Sequence, residues 1–445
     1  MLSIVHRNAG LCLPTRPVGP HDGLPYGLAR RQRSFALREV AVPYPNRSIN
    51  VMKSQRMARP GLVGLGIAGL ILLAMGSRGR PEFGEPLRGL PRDLLARFHA
   101  GKTAFEAAED VPGGLGPVFN DTACAKCHTQ GAVGGGNDRL ETRYGQVTNG
   151  TFNPLTQFDG TLVHAKGIGL FNGVNFVGEV VPPEANVVAG RRVNPLFGLG
   201  LVDAVPDQFL KDLAQFEQDF TPMTAGRANV VTDVASGQPR VGRFGWKCQI
   251  GTVLTFAANA YQNEIGVTTP FFPNENCPQG DCALLAANPA QTNPNDTNET
   301  PMMFADFITF LAPPPQRPLF RETRLGESTF LGIGCADCHL PAMRTGPNEV
   351  AALDGVDFFP FSDFLLHDMG RLNDGISQSG ATGQEMRTAP LWGARIRTSF
   401  LHDGRAKTLQ EAILAHDGQG LTARNRFASL NERQKADLLA FINSL

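Results

Sequence analysis

The sequence has no net charge, comparatively few charged residues and no long hydrophobic stretch. Charged residues make up 18 % of the 445 residues, against about 25 % in average proteins. Its longest uncharged apolar run, from Gly61 to Met75, has 15 residues. A chain that is 42 % hydrophobic with this pattern is neither intrinsically disordered nor a multi-span membrane protein. The same composition excludes collagen, a coiled coil and a small disulfide knot.

Basic and acidic residues are unevenly distributed along the chain. Residues 1–59 carry ten Lys or Arg and two acidic residues, so the remainder carries a net charge of −8. Binding nucleic acid needs a basic surface that meets the phosphates. We therefore expect no nucleic-acid partner.

Glycine and proline, by contrast, are abundant. The chain has 50 Gly and 33 Pro, nearly one residue in five, against about 12 % in average proteins. Such a composition favours a loop-rich globular protein. The length allows two domains, each able to bury its own core.

The N-terminal part resembles an export signal. The apolar run from Gly61 to Met75 follows basic residues and precedes a small-residue cleavage site before Ser77. Its length fits the apolar region of a signal peptide better than the ~20 residues of a spanning helix. We expect residues 1–76 to be an extension with a signal peptide, and the alternative is an uncleaved anchor. Either way the rest is exported to the periplasm, in the second case held at the inner membrane.

Four of the eight cysteines form two C-x-x-C-H motifs. These are Cys124-Ala-Lys-Cys127-His128 and Cys335-Ala-Asp-Cys338-His339. In this motif the two thiols add to the vinyl groups of one haem, and the histidine becomes the proximal ligand of its iron. A zinc site would need a second cysteine pair nearby, and a thioredoxin-like pair would leave the histidines unexplained. The sequence therefore predicts two covalently bound haem c groups.

The remaining cysteines fit an exported protein, since c-type haem is attached on the oxidising side of a membrane. Cys277 and Cys282 bracket a tight loop and are predicted to form a disulfide. Cys248 is expected to be a buried free thiol. Cys12 lies in the segment expected to be lost.

The two halves repeat more than the haem motif. Phe119 and Phe330 each stand five residues before the first cysteine of their motif. The pattern R-x-x-P-L-aromatic-G occurs at residues 192–198 and again at 387–393. We interpret the chain as a tandem of two haem domains, residues 77–235 and 321–445, joined by a connecting segment, residues 236–320.

Helix boundaries are marked by proline and by capping residues. Pro206 is predicted to open an amphipathic helix. Thr408 with Glu411, and Ser429 with Glu432, match the capping box in which a hydroxyl and a carboxylate satisfy the first backbone N–H groups.

Several further motifs resemble those of the di-haem oxidoreductase family of peroxidase-like enzymes. They are Gly114 to Asn120, Gly242 to Lys247, Leu365 to Gly370 and Phe400 to Ala406. That family is related to bacterial di-haem cytochrome c peroxidase and to the di-haem enzyme that matures methylamine dehydrogenase. The resemblance covers about residues 85–445.

The resemblance implies a mainly α fold of two cytochrome c-like domains with loop-rich and short β insertions. One haem would relay electrons and the other would meet peroxide. The implied function is reduction of hydrogen peroxide with electrons from a small soluble donor, a cytochrome c or a cupredoxin, with a calcium ion between the domains. Two alternatives stay open: a non-catalytic di-haem electron-transfer cytochrome, and a di-haem oxidase of a protein or thiol substrate.

The resemblance also suggests two catalytic residues. Trp246, the only tryptophan between the motifs, is expected to lie between the haems, with an aromatic core residue as the alternative. The segment around Glu264 resembles the one that carries the relatives' catalytic glutamate. Glu264 is therefore assigned as the acid or base beside the open iron, with a surface glutamate at a helix end as the alternative.

Leu401 departs from the pattern of the relatives. There, the residue before the H-D-G histidine is a Met or Tyr that ligates the second iron, whereas leucine has no donor atom. We predict that Met369 is the sixth ligand of the second haem, with His402 as runner-up, because a thioether is a soft donor that raises a haem's potential. The alternative for Met369 is a core gap-filler. The other histidines available to the haem pockets are His99, His164, His367 and His416.

Overall fold

The computed structural model describes residues 81–290, 294–318 and 320–445, and these residues belong to one compact unit. The predicted signal segment, residues 1–76, lies outside them. No helix in this described part is long and apolar enough to cross a membrane.

Helices are short and separated by long loops. Helix accounts for 35 % and strand for 17 % of the structure, so the expectation of a mainly α fold is met in part. The α-helices of the described residues are α1 (Arg92–Glu106), α2 (Leu199–Asp203), α3 (Asp207–Phe220), α4 (Val253–Ala260), α5 (Glu299–Phe310), α6 (Arg321–Gly332), α7 (Leu409–Ala415), α8 (Leu421–Ser429) and α9 (Glu432–Ile442).

Strands form small antiparallel sheets between the helices. The strands are β1 (Val118–Phe119), β2 (Asn137–Thr148), β3 (Thr151–Asn153), β4 (Lys166–Gly167), β5 (Gly169–Phe171), β6 (Val174–Phe176), β7 (Val187–Val193), β8 (Asn229–Thr232), β9 (Pro239–Gly242), β10 (Met343–Arg344), β11 (Asp357–Phe358), β12 (Leu366–Asp368) and β13 (Glu385–Arg387). β2 is the centre of a three-stranded sheet with β3 and β7, and the others pair as β1–β4, β5–β6, β8–β9, β10–β11 and β12–β13.

Each haem motif follows a helix that packs closely against a later one, α1 against α5 and α6 against α9. A glycine stands at each crossing. A Cβ on Gly101 would overlap the carbonyl oxygen of Met303, and one on Gly326 would overlap that of Asp437. The two helix pairs can approach this closely only because these positions carry no side chain.

A phenylalanine follows each of these glycines by four residues and packs on the histidine of the motif. The ring centres of Phe105 and His128 are 5.8 Å apart, and those of Phe330 and His339 are 6.5 Å apart. The match between Phe119 and Phe330 in the sequence was therefore misleading, since Phe119 lies in β1 and Phe105 takes the equivalent place.

The hydrophobic core has two main clusters, centred on the helix pairs. The larger contains buried residues of α1 and α5, among them Phe98 and Phe307, and reaches as far along the chain as Trp392. The smaller packs Phe330 of α6 against Phe441 of α9.

Capping explains where two of the C-terminal helices begin. The predicted box of Thr408 and Glu411 is confirmed at the start of α7. The second predicted box is wrong: Ser429 ends α8, and its hydroxyl donates to the carbonyl of Arg426. α9 starts instead with Asn431, which forms a capping box with Gln434 because an Asn side chain accepts from the backbone as well as a hydroxyl does.

One further helix prediction and two cysteine predictions agree with the structure. α3 begins directly after Pro206. Cys277 and Cys282 form the predicted disulfide. Cys248 is a buried free thiol that donates to the carbonyl of Phe364.

Candidate functional site

Both C-x-x-C-H motifs adopt the same local structure. Each begins with one 3₁₀ turn, Cys124–Lys126 and Cys335–Asp337. The backbone N–H of His128 donates to the carbonyl of Cys124 at 3.0 Å, and that of His339 to the carbonyl of Cys335 at 2.9 Å. All four cysteines are free thiols. This tight turn brings two thiols and one imidazole together, as attachment of a haem requires.

The two motif histidines are held in the tautomer that ligates metals. Nδ1 of His128 donates to the carbonyl of Gly135, and Nδ1 of His339 to that of Phe361, both at 2.9 Å. Each bond leaves the lone pair of Nε2 free. Burial lowers the pKa of both rings to about 4, so they are neutral at pH 7. Both residues fit the role of proximal haem ligand.

A cavity of about 40 Å³ is lined by both copies of the R-x-x-P-L-aromatic-G repeat together with Trp246. Four arginines line it: Arg192, Arg243, Arg387 and Arg397. Burial, with Arg192 and Arg387 adding to the effect, lowers the pKa of Arg397 to about 10. Nε of Arg192 is buried without a hydrogen-bond partner. Arg192 pairs with Asp138 at 2.6 Å and Arg243 pairs with Asp207. Arg387 and Arg397 donate to backbone carbonyls instead. The positive charge of these last two favours anionic groups, and the carboxylates on the edge of a haem would satisfy it.

Trp246 connects the two copies of this repeat. Its indole N–H donates to the carbonyl of Arg192 at 2.9 Å, and its own carbonyl accepts from the backbone N–H of Arg387 at 2.8 Å. Its ring meets that of His402 edge-on, with centres 6.3 Å apart. Trp246 is thus half-buried at the junction of the two halves.

Glu264 lies beside the first motif. It belongs to a π-helical turn, Tyr261–Ile265, that continues α4, and such turns are frequent at functional sites. Its carbonyl accepts from the backbone N–H of Asn120 at 2.8 Å, and its carboxylate accepts from the Asn120 amide at 2.8 Å. Burial raises the pKa of Cys124 to about 12, and the negative charge of Glu264 adds to that shift. The structure therefore brings together two positions 140 residues apart in the sequence.

The surroundings of Glu264 give its carboxyl group an unusual affinity for protons. Burial, and then the charge of Glu141, raise its pKa to about 7, while Arg143 and His164 oppose the shift. Nδ1 of His164 pairs with Glu179 at 2.7 Å, and its Nε2 is buried without a partner. Asn120 and Arg143 were missed in the sequence, because nothing in a strand or a loop indicates which distant carboxylate its side chain will meet.

The second motif has a different polar neighbourhood. His367 lies 2.8 Å from Asp363 through Nε2 and 3.5 Å from the sulfur of Cys338 through Nδ1. Among the described residues, this is the only cluster of three His, Cys, Asp or Glu side chains close enough to hold a metal ion. One sulfur, one imidazole and one carboxylate do not form the oxygen cage that calcium prefers.

The residues considered as further ligands are widely separated. His99 is exposed on α1, and His402 lies beside Trp246. Met369 is half-buried, and its backbone N–H donates to the carbonyl of Gln384 at 3.1 Å. His416 faces the second motif, with its ring centre 6.4 Å from that of His339. Leu401 occupies the left-handed region, with φ of 71°.

Comparison with protein families identifies one match. Residues 179–445, more than half of the chain, match the model of the family described as "Di-haem oxidoreductase, putative peroxidase". No curated protein matches the chain.

Similar solved structures share little sequence with the chain. Hydrazine synthase of Kuenenia stuttgartiensis is 13 % identical, and the match covers 90 % of this chain and 99 % of the hydrazine synthase chain, with a TM-score of 0.33. A MauG-like protein associated with microbial copper homeostasis is 14 % identical, covering 82 % and 94 %, with a TM-score of 0.39. The di-haem peroxidase BthA from Burkholderia thailandensis is 13 % identical, covering 79 % and 86 %, with a TM-score of 0.38.

Proposed function

Because the chain belongs to the di-haem oxidoreductase family, it is an oxidoreductase with two haem groups, and we propose that it is an exported peroxidase that reduces hydrogen peroxide. The haems would be attached covalently, with His128 and His339 as proximal ligands. The observation that carries the proposal is Glu264, a carboxyl group with a pKa of about 7 beside the first motif. Such a group suits a reaction in which protons must move.

The bound haem iron would supply the redox chemistry that reduces the O–O bond. Reduction of one hydrogen peroxide to two waters needs two electrons and two protons. Glu264 would take a proton from one peroxide oxygen as a base and return it to the leaving oxygen as an acid. Its pKa near neutral pH lets it do both. Asn120, which donates to the Glu264 carboxylate at 2.8 Å, would hold that group in place.

Electrons would enter through the second haem and reach the first past Trp246. The donor would be a small soluble redox protein, a cytochrome c or a cupredoxin, in the periplasm. The predicted signal segment, residues 1–76, supports export, with an inner-membrane anchor as the alternative. The resemblance also implies a calcium ion, but the described residues contain no cluster of acidic side chains that could bind it. Calcium is therefore not part of the proposal.

An optical spectrum followed by peroxide addition tests the proposed function. A peroxidase should show a high-spin component from an open iron, and it should consume peroxide while it oxidises a reduced donor cytochrome. Purely low-spin haem without turnover would instead identify an electron carrier. Peroxide consumption that oxidises a protein or thiol but no donor would identify the oxidase alternative.

If each motif attaches one haem covalently, removing the cysteines of one motif should cost the protein one haem. Replacing Cys335 and Cys338 together with Ala should leave one haem on the chain, because the second motif then has no thiol for the vinyl groups. Haem staining after denaturing electrophoresis, with intact mass, measures the number attached. The matched control is Cys248→Ala, which removes a buried thiol outside the motifs and should retain two haems. Two haems on the double variant would contradict the assignment.

Trp246 predicts a change in electron transfer between the haems. The variant Trp246→Phe loses the hydrogen bond to Arg192 and part of the aromatic ring, so transfer should slow several-fold. Rapid reduction followed optically at both haems measures the rate. Trp392→Phe, which alters a core tryptophan of the same cavity, is the control and should transfer at the normal rate. Equal rates of electron transfer in the Trp246 variant and the wild type would show that Trp246 is not part of the electron-transfer pathway.

A further inference from the structure

We propose that His416 is the sixth ligand of the iron held by His339, so that the second haem is closed by two histidines. The proposal rests on the proposed function only in requiring a haem at the second motif. It replaces Met369, which the sequence suggested for this position.

The spacing of the two rings fits one metal ion between them. With metal–nitrogen bonds of about 2.0 Å and each ring centre about 1.2 Å behind its Nε2, two imidazoles on opposite sides of one ion would have centres about 6.4 Å apart. The ring centres of His339 and His416 are 6.4 Å apart, with their planes at 58°.

An ordinary aromatic pair would also have centres 4.5–7 Å apart, so the spacing alone does not decide the matter. The hydrogen bonds of the two rings add support for a shared metal ion. Nδ1 of His416 donates to the carbonyl of Ala412 at 2.8 Å, as Nδ1 of His339 does to that of Phe361 at 2.9 Å. Both rings therefore keep the Nε2 lone pair, and a backbone carbonyl on the opposite nitrogen is the usual support of a metal-bound histidine.

The segment that carries His416 is fixed on both sides of the residue. His416 follows directly after α7, whose start is set by its capping box. Its carbonyl accepts from the side chain of Arg424 at 3.1 Å. The backbone at Gly420 passes close to the imidazole of His416. A Cβ added to Gly420 would lie 3.1 Å from Cδ2 of His416, so the absence of a side chain allows this close approach. A ligand held this way loses little conformational freedom when it binds iron.

Among the residues that the structure describes, no second histidine ring packs on that of the first motif. The ring contact of His128 is with Phe105, and the group brought beside that motif is the carboxyl of Glu264. The two haems would therefore differ in kind. The first keeps an open position for peroxide, and the second is a closed centre that only passes electrons.

Two histidine ligands also change the expected potential of the second haem. A Met/His pair raises the potential of a haem relative to other ligand sets. A second haem with two histidine ligands would therefore have a lower potential than one with His339 and Met369 as ligands. It would also be a stronger reductant of the first haem.

Electron paramagnetic resonance and optical spectra of the full-length protein with both haems test the proposal. His416→Ala should convert half of the haem from low-spin to high-spin, and added imidazole should restore the low-spin signal by entering the vacated position. His416→Met should remain low-spin, gain the weak far-red sulfur-to-iron band and raise the potential of that haem. Met369→Ala is the matched control and should leave every signal unchanged.

Two results would overturn the proposal. One is a low-spin signal that survives His416→Ala without imidazole. The other is a far-red sulfur band in the wild type that disappears in Met369→Ala, which would return the ligand to methionine. Failure of the proposed function looks different: two haems with the spectra expected here, but no peroxide turnover, would overturn the peroxidase activity and leave the His416 ligand intact. The absence of a haem at the second motif would overturn both.

Discussion

Replacing Glu264 with Gln is expected to lower peroxide turnover about 100-fold or more, the lower range for loss of a general acid or base. Gln keeps the size of the side chain and can still bond Asn120, but it cannot take a proton from peroxide and return it. Haem content and the spectra of both haems should stay unchanged. Steady-state turnover with a reduced donor cytochrome measures the effect.

The pH dependence gives this experiment a second readout. Burial raises the pKa of Glu264 to about 7, so the carboxyl is protonated below that pH and cannot act as a base. Wild-type activity should therefore rise as pH increases through about 7, and the Gln variant should lose this rise. Asn120→Ala removes a bond that favours the charged carboxylate, so it should move the rise to higher pH.

Glu275 provides the matched control. Burial raises its pKa to about 7 as well, and it accepts from the side chain of Asn295 at 3.2 Å. Within the described part of the chain, no hydrogen bond or ion pair joins it to a haem motif. Glu275→Gln should keep wild-type turnover and the wild-type pH profile. Turnover of Glu264→Gln within a few-fold of wild type, with the same pH profile, would exclude Glu264 as the catalytic group.

The second large effect is expected from Gly326→Ala, which should lower the free energy of unfolding by about 3 kcal/mol, the upper range for overpacking a tight contact. The added methyl group would overlap the backbone of α9 at Asp437, and a backbone atom cannot turn aside as a flexible side chain can. The helices must move apart, and Phe330 moves away from His339 with them. Chemical denaturation of the protein with both haems, followed by circular dichroism, measures the loss.

Gly332 is the control on the same helix. A Cβ at Gly332 meets nothing within 4 Å, so Gly332→Ala should be neutral or raise stability by about 0.5–1 kcal/mol through the better helix propensity of Ala. Gly101→Ala should reproduce the loss in the first half, where α1 crosses α5. Equal stability of the Gly326 and Gly332 variants would show that the α6–α9 contact does not need glycine.

Features formed by residues close together in the sequence could be predicted from the sequence. The C-x-x-C-H spacing predicts two haems, and both motifs form the same turn. The Cys277–Cys282 disulfide and the Thr408–Glu411 capping box are confirmed, because each involves groups within a few residues whose geometry the chain itself fixes. Where two local choices compete, as Ser429 and Asn431 do for the start of α9, the spacing alone was not enough.

The sequence by itself thus indicated the family and two haem groups. Only the tertiary structure decided which side chains approach those sites: Glu264 beside the first motif, four arginines around one cavity, and His416 opposite His339. These contacts join residues between 77 and about 200 positions apart, and they form when helices pack on one another. Packing depends on buried surface and on glycines at the crossings, which leave no local signature of the partner. Each C-x-x-C-H motif is therefore encoded locally, whereas the side chains that approach it are set by the fold.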